Sequence, residues 1–255
     1  MFIDTHCHLS VDDYENIDQV LVENRAAGVS PIIISGCTKK DILESLEYAK
    51  RYSDVFLTIG YHPSEANSIT DEDLFLLEQQ LSSTSKIVGL GEIGLDYYYG
   101  KDNRDLQIQL FEKQLQLAER LALPVVIHSR DATFDTIQLL KKHSVFGVIH
   151  CFSGSLETAK EYIQLGFSLG IGGVITFKNS KLKEVVEQIP LSNIVLETDS
   201  PYLTPEPFRG KKNSSKFIPY IATAIADCKN ISLDEVSSVT TCNAKKIFHL
   251  DSFAK

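Results

Sequence analysis

Short β-rich runs alternate with amphipathic helical stretches from one end of the chain to the other, and that rhythm leaves few folds open. Strands are expected at residues 2–4, 31–35, 55–59, 86–90, 125–127, 146–149, 167–170 and 194–196. Helical periodicity is read between them over 17–27, 41–52, 73–81, 107–121, 134–143, 156–165 and 181–188. Apolar residues recur there at helical spacing, as in Leu106, Leu110, Leu117 and Leu121, so each helix carries one apolar face. Gly28 and Gly166 stand where helix C-terminal caps are expected. Eight strands interleaved with helices point to a closed parallel barrel rather than an open sheet. The fold expected is an α/β chain: a single (β/α)8, or TIM, barrel over residues 1–255 as one domain. The tail opens with a capping box, Ser232-x-x-Glu235, and is expected to add a C-terminal helix packed outside the barrel.

Composition narrows the function classes. At 43% hydrophobic and 23% charged residues, the chain has the make-up of an ordinary soluble protein. Apolar runs such as 31–34 are far too short to span a bilayer, and the first residues lack the features of a signal peptide. A cytoplasmic monomer with no membrane partner is therefore expected. The five cysteines are scattered without a Cys-x-x-Cys pair, which argues against a disulfide framework or a zinc ribbon. A net charge of −9 argues against coating nucleic acid, since such binding rests on lysine and arginine neutralising phosphates. It leaves room for a nuclease that handles a strand end at a metal centre.

Of seven histidines, five fall at the end of an expected strand or just past it: His6, His8, His62, His128 and His150. Glu92 and Asp199 fall at the same place after two further strands. Barrel enzymes build their sites at the C-terminal ends of the strands, so these residues would converge on one face. Side chains alternate along a strand, which points His6 and His8 the same way and turns Cys7 to the other side. The same alternation is expected to turn Cys151 away from His150. Asp4 and Glu197 share parity with His6 and Asp199, and could orient ligands from one layer down or form a buried hydrogen-bonded pair.

Imidazoles mixed with carboxylates suit Zn²⁺, Mn²⁺, Fe²⁺ or Co²⁺, while Mg²⁺ prefers oxygen ligands alone. Six groups, His6, His8, Glu92, His128, His150 and Asp199, exceed what one catalytic ion needs. Two divalent cations with a bridging carboxylate use them better. The identity of the metal, among Zn, Mn, Mg, Co and Fe, stays open.

The motifs around these residues resemble the TatD-type metal-dependent deoxyribonucleases, a branch of the amidohydrolase-like barrels. They are Asp4-Thr-His6-Cys-His8-Leu, Gly60-Tyr-His62-Pro63, Gly91-Glu92-Ile-Gly94-Leu-Asp96-Tyr97, Val126-Ile-His128-Ser-Arg130, His150-Cys-Phe-Ser153-Gly154-Ser and Leu196-Glu-Thr-Asp199-Ser-Pro201-Tyr202-Leu. The resemblance implies that His6, His8, Glu92 and Asp199 hold one ion. Glu92, His128 and His150 would hold the other, with Glu92 bridging and Asp199 as general base. Related two-metal barrels often bridge with a carboxylated lysine at the end of the fourth strand, where this chain has Glu92; Lys86 lies at the strand's other end. One departure is Ser214-Ser215, where the family usually continues with an acidic residue or histidine and a proline.

Three function classes follow. The first is a phosphodiesterase acting on nucleic-acid ends, removing nucleotides from single strands in the 3′ to 5′ direction, as the resemblance implies. Arg130, Lys178, Arg209, Lys211 and Lys212 lie in loops on the expected active face and could meet phosphates, with Arg130 foremost because it follows a ligand strand. His62 is read as a substrate contact or as a donor behind the ligands. The second class is hydrolysis of another ester or amide bond by the same water, including the ester of a D-aminoacyl-tRNA. The third, a barrel that binds metal without catalysing, is disfavoured by the complete ligand set and by Asp199.

Overall fold

The computed structural model describes residues 1–250. Its eight strands are β1 (Phe2–Cys7), β2 (Val29–Gly36), β3 (Val55–Ile59), β4 (Ile87–Asp96), β5 (Val125–Arg130), β6 (Gly147–Ile149), β7 (Phe167–Ile171) and β8 (Ile194–Leu196). They pair in sequence order, and every pair is parallel. Chain segment 198–200 closes the ring on β1. Asp199 N–H donates to the His6 carbonyl at 3.0 Å, and His8 N–H donates to the Ser200 carbonyl at 2.7 Å. The fold is a (β/α)8 barrel.

Each strand is followed by a helix: α1 (Ile17–Ala26), α2 (Lys39–Arg51), α3 (Asp71–Leu81), α4 (Arg104–Leu121), α5 (Thr133–Leu140), α6 (Leu156–Gln164), α7 (Leu182–Gln188) and α8 (Ile218–Lys229), with α9 (Leu233–Ile247) in addition. Helix α8 was not among the expected elements. Pro219 reads as a breaker in sequence, but it sits in the first turn, where its missing N–H has no helical partner to lose. Among the described residues no helix is long and apolar enough to cross a membrane.

Strand alternation builds two cores. Ile32 and Ile34, Val125 and Ile127, and Ile194 and Leu196 pack outward among the helices. Between them Ile33, Val126 and Val195 join Ile3, Phe56, Val88 and Val148 in a second cluster, with Ala244 of α9, Phe248 and Leu250. Helix α9 closes the end of the barrel from which the strands start, and through Val236 it also joins the outer core beside α8, outside the barrel as expected. Asn243 pins it there, donating to the carbonyls of Leu191 and Ile194 at 3.0 and 2.8 Å. With that end plugged, the open mouth lies at the strand C-termini.

Candidate metal centre

Alternation along the end of β1 holds as expected. His6 and His8 both face the cleft, while the Cys7 thiol turns to the Ile33 carbonyl at 3.5 Å and packs in the outer core. His8 Nδ1 donates to the Ser35 carbonyl at 3.2 Å, which leaves Nε2 as the lone-pair nitrogen toward the cleft. Four atoms converge there. His6 Nε2 lies 3.2 Å from His8 Nε2, 3.5 Å from Glu92 Oε2 and 3.6 Å from Asp199 Oδ1. His8 Nε2 lies 3.8 Å from Glu92 Oε2 and 3.4 Å from Asp199 Oδ1. A tetrahedral cation with bonds of about 2.0–2.2 Å separates its ligands by about 3.3–3.6 Å. The five separations, from 3.2 to 3.8 Å, lie close to that range.

A second group meets on the other oxygen of Glu92. Oε1 lies 2.7 Å from His128 Nδ1 and 2.8 Å from His150 Nε2, and the two nitrogens are 3.2 Å apart. These are hydrogen-bond separations, so a cation would spread the three donors apart, and a set of three would leave it coordination positions for water or substrate.

Glu92 reaches both groups because of how β4 is built. Gly91 pairs with Val126 and Ile93 with Ile127, so Glu92 is an extra residue on β4 with no counterpart on β5. Bulges of this kind re-aim side chains near active sites. A Cβ on Gly91 would stand 2.6 Å from that of Val126, so only glycine lets the strands approach at this point.

Charge is balanced within the cluster. Burial would push the Glu92 carboxyl up, but His150, His128 and His6 around it hold it well below the usual carboxylate range. Burial also opposes ionisation of Asp199, and His8 and His150 more than offset that, keeping it low. His150 is held well above the ordinary imidazole value: burial works against its charge, and Glu92 with Glu197 overcomes it. The acids are thus ionised and the site is ready for cations in place of protons.

Carboxylates stand behind the imidazoles. Asp96 Oδ2 lies 3.1 Å from His128 Nε2, and Glu197 Oε1 lies 3.6 Å from His150 Nδ1. Glu197 occupies the position expected of it, in space that a side chain on Gly170 would fill, and it also accepts from the Cys151 N–H. Asp4 does not. A register shift between Asp4 and Cys7 breaks the alternation, and its carboxylate accepts from Thr198 N–H and Oγ1, with the Ser215 hydroxyl as a further partner. It ties β1 to the segment after β8 and accepts from the His6 N–H at 3.2 Å, bracing the backbone of that residue rather than its ring. Ser215, part of the departure from the family pattern, serves this buried tie.

His62 caps the short turn at Pro63–Glu65, accepting at Nδ1 from Ser64 N–H at 3.1 Å. Its proton is then on Nε2, 3.9 Å from Glu92 Oε1 at the edge of the second group. Burial pushes its pKa down to about 4, so the ring is neutral. Of the five basic loop residues, Arg130 alone lines the cleft, a cavity of about 850 Å³ that also reaches His8, Glu92 and Asp199. Arg209 donates to the Thr204 carbonyl at 3.0 Å and covers the Phe177 ring. Lys212 donates to the Asp13 carbonyl.

Two thiols depart from expectation. Cys151 lines the cleft instead of turning away, because β6 ends at Ile149 and Cys151 takes a left-handed φ of 48°, so strand alternation no longer governs it. Cys37, unremarked in the sequence, donates to Glu92 Oε2 at 3.4 Å from the end of β2. Its place just past a strand was the signal that could have found it.

A family model described as TatD-related DNase matches residues 3–249. The uncharacterised metal-dependent hydrolase YabD of Bacillus subtilis is 40% identical over 98% of this chain and 100% of its own length. The uncharacterised metal-dependent hydrolase YcfH of Escherichia coli is 35% identical over 98% and 96%. Among solved structures, the TatD homologue YjjV of Escherichia coli superposes with a TM-score of 0.91 at 32% identity, covering 97% of this chain and 98% of its own. A TatD family hydrolase of Entamoeba histolytica gives 0.85 at 26%, covering 97% of each chain. The chain belongs to the TatD-related DNase family and is a metal-dependent hydrolase.

Proposed function

We propose that this hydrolase uses two divalent cations to remove nucleotides from single-stranded nucleic-acid ends, with Asp199 as general base. The observation that carries this reading is the division of Glu92, whose two oxygens each face a different donor group. His6, His8, Glu92 and Asp199 would hold one cation, and Glu92, His128 and His150 the other. When bound, such a pair acidifies water and neutralises charge on a phosphoryl group. Asp199 Oδ1 is engaged with the two imidazoles, which leaves Oδ2 to take the proton of the attacking water. His62 Nε2–H and the Arg130 guanidinium flank the cleft as donors to non-bridging phosphate oxygens. The net charge of −9 favours an end entering the mouth over a duplex lying across the protein. The matched family's description as a DNase supports a phosphodiester over other esters.

End-labelled single-stranded oligonucleotide, closed circular duplex and a D-aminoacyl-tRNA, each incubated with Mg²⁺- or Mn²⁺-loaded protein, test the reading. Stepwise shortening of the oligonucleotide is expected. Rapid nicking of the circle, which has no ends, would overturn end-directed action, and cleavage of the aminoacyl ester alone would overturn the substrate class.

A further inference from the structure

The loop after β4 carries features that metal binding does not use. Tyr99 is 87% exposed and Tyr98 is 55% exposed, with the two rings edge to face at 4.9 Å. The Arg130 guanidinium lies 3.5 Å from the Tyr98 ring centroid and 5.7 Å from that of Tyr99, and among the described residues it forms no ion pair. The loop is held at its root. Gln107 brackets Asp96, accepting from its N–H at 2.9 Å and donating to its carbonyl at 2.8 Å, and Tyr98 N–H donates to Asp96 Oδ1 at 2.9 Å. The aromatic pair is thus presented on a braced turn.

Beneath Tyr99 opens a cavity of about 350 Å³ that shares His62, Asp96 and Tyr99 with the metal cleft. Its wall selects against a phosphate. Asp96 and Asp102 line it, and no lysine or arginine does. Two amides offer hydrogen bonds instead. The Asn67 side chain has no partner among the described residues, and Asn103 uses only Oδ1, which accepts from Gln107 at 2.9 Å. A neutral, flat group with donors and acceptors on its edge suits this wall. Exposed aromatics flanked by arginine are the usual platform for unpaired bases, because every base has a π-face to stack.

We propose that Tyr99, backed by Tyr98, and the cavity beneath it bind the unpaired nucleobase of the nucleotide whose phosphate lies at the metal centre. The proposal rests on the nucleic-acid reading above and adds to it the group that is recognised. Phosphate and base would be separated by the width of His62, which borders both cavities. Stacking of this kind tolerates any base, so the subsite would confer preference for a base-bearing end and little sequence preference.

The test is calorimetric titration of Mn²⁺-loaded protein with deoxyadenosine 5′-monophosphate and with 2-deoxyribose 5-phosphate, which lacks the base. The wild type is expected to bind the nucleotide about tenfold more tightly than the sugar phosphate. Tyr99→Ala should bring the two affinities together, and Tyr99→Phe should restore the difference. The exposure of Tyr99 keeps both variants folded. Equal affinities in the wild type, or a difference that persists in Tyr99→Ala, overturn the subsite. Hydrolysis assays on the same preparations separate the two readings. A wild type that leaves oligonucleotides intact yet shows the Tyr99-dependent difference overturns the hydrolytic reading and supports the subsite.

Discussion

Asp96 Oδ2 stands 3.1 Å from His128 Nε2, on the far side of an imidazole whose Nδ1 faces Glu92. A carboxylate in that position fixes the tautomer and aim of the ring. Asp96→Ala should therefore weaken the cation held by His128 and His150 by about 10–100-fold and the His6–His8 cation much less. Competition with a graded chelator reads the two affinities separately.

Glu92→Gln should lower occupancy of both cations together. The residue alone places an oxygen in each donor group, and an amide offers one weak oxygen in place of two charged ones. Elemental analysis after dialysis checks it. Loss of one ion with full retention of the other would show that Glu92 does not span the groups.

Asp199→Asn should cut turnover by about 10²–10⁴-fold while the circular dichroism spectrum stays unchanged. An amide can fill the space but cannot accept the water's proton. A rate above about a tenth of wild type would place the base elsewhere.

Phe248→Ala should cost about 3–5 kcal/mol of stability, because the ring is fully buried where α9 plugs the barrel. The plug lies at the end opposite the donor groups, so cation content measured well below the new melting temperature should match wild type. Thermal denaturation and elemental analysis on one sample check both halves.

Much of this architecture was legible in the chain. The period-two and helical patterns located every strand, and histidines just past strands 1, 3, 5 and 6 had one place to meet. What escaped reading was backbone irregularity. The strand expected at 86–90 stops short, whereas β4 runs on to Asp96 through a bulge at Glu92, where Gly91 allows close approach to Val126. The shift after Asp4 and the left-handed turn at Cys151 defeated alternation in the same way, since parity counts residues and cannot see a kink. Asp96 lay in a quoted motif with no role assigned, because only the extended β4 brings it beside His128.

Two-cation occupancy is read most directly by anomalous diffraction from crystals grown in saturating Mn²⁺. Two peaks roughly 3.5–4 Å apart are expected, one among His6, His8 and Asp199 and one between His128 and His150, with Glu92 between them. A single peak, or a second one displaced to His62 and Asp96, would contradict the two-cation centre.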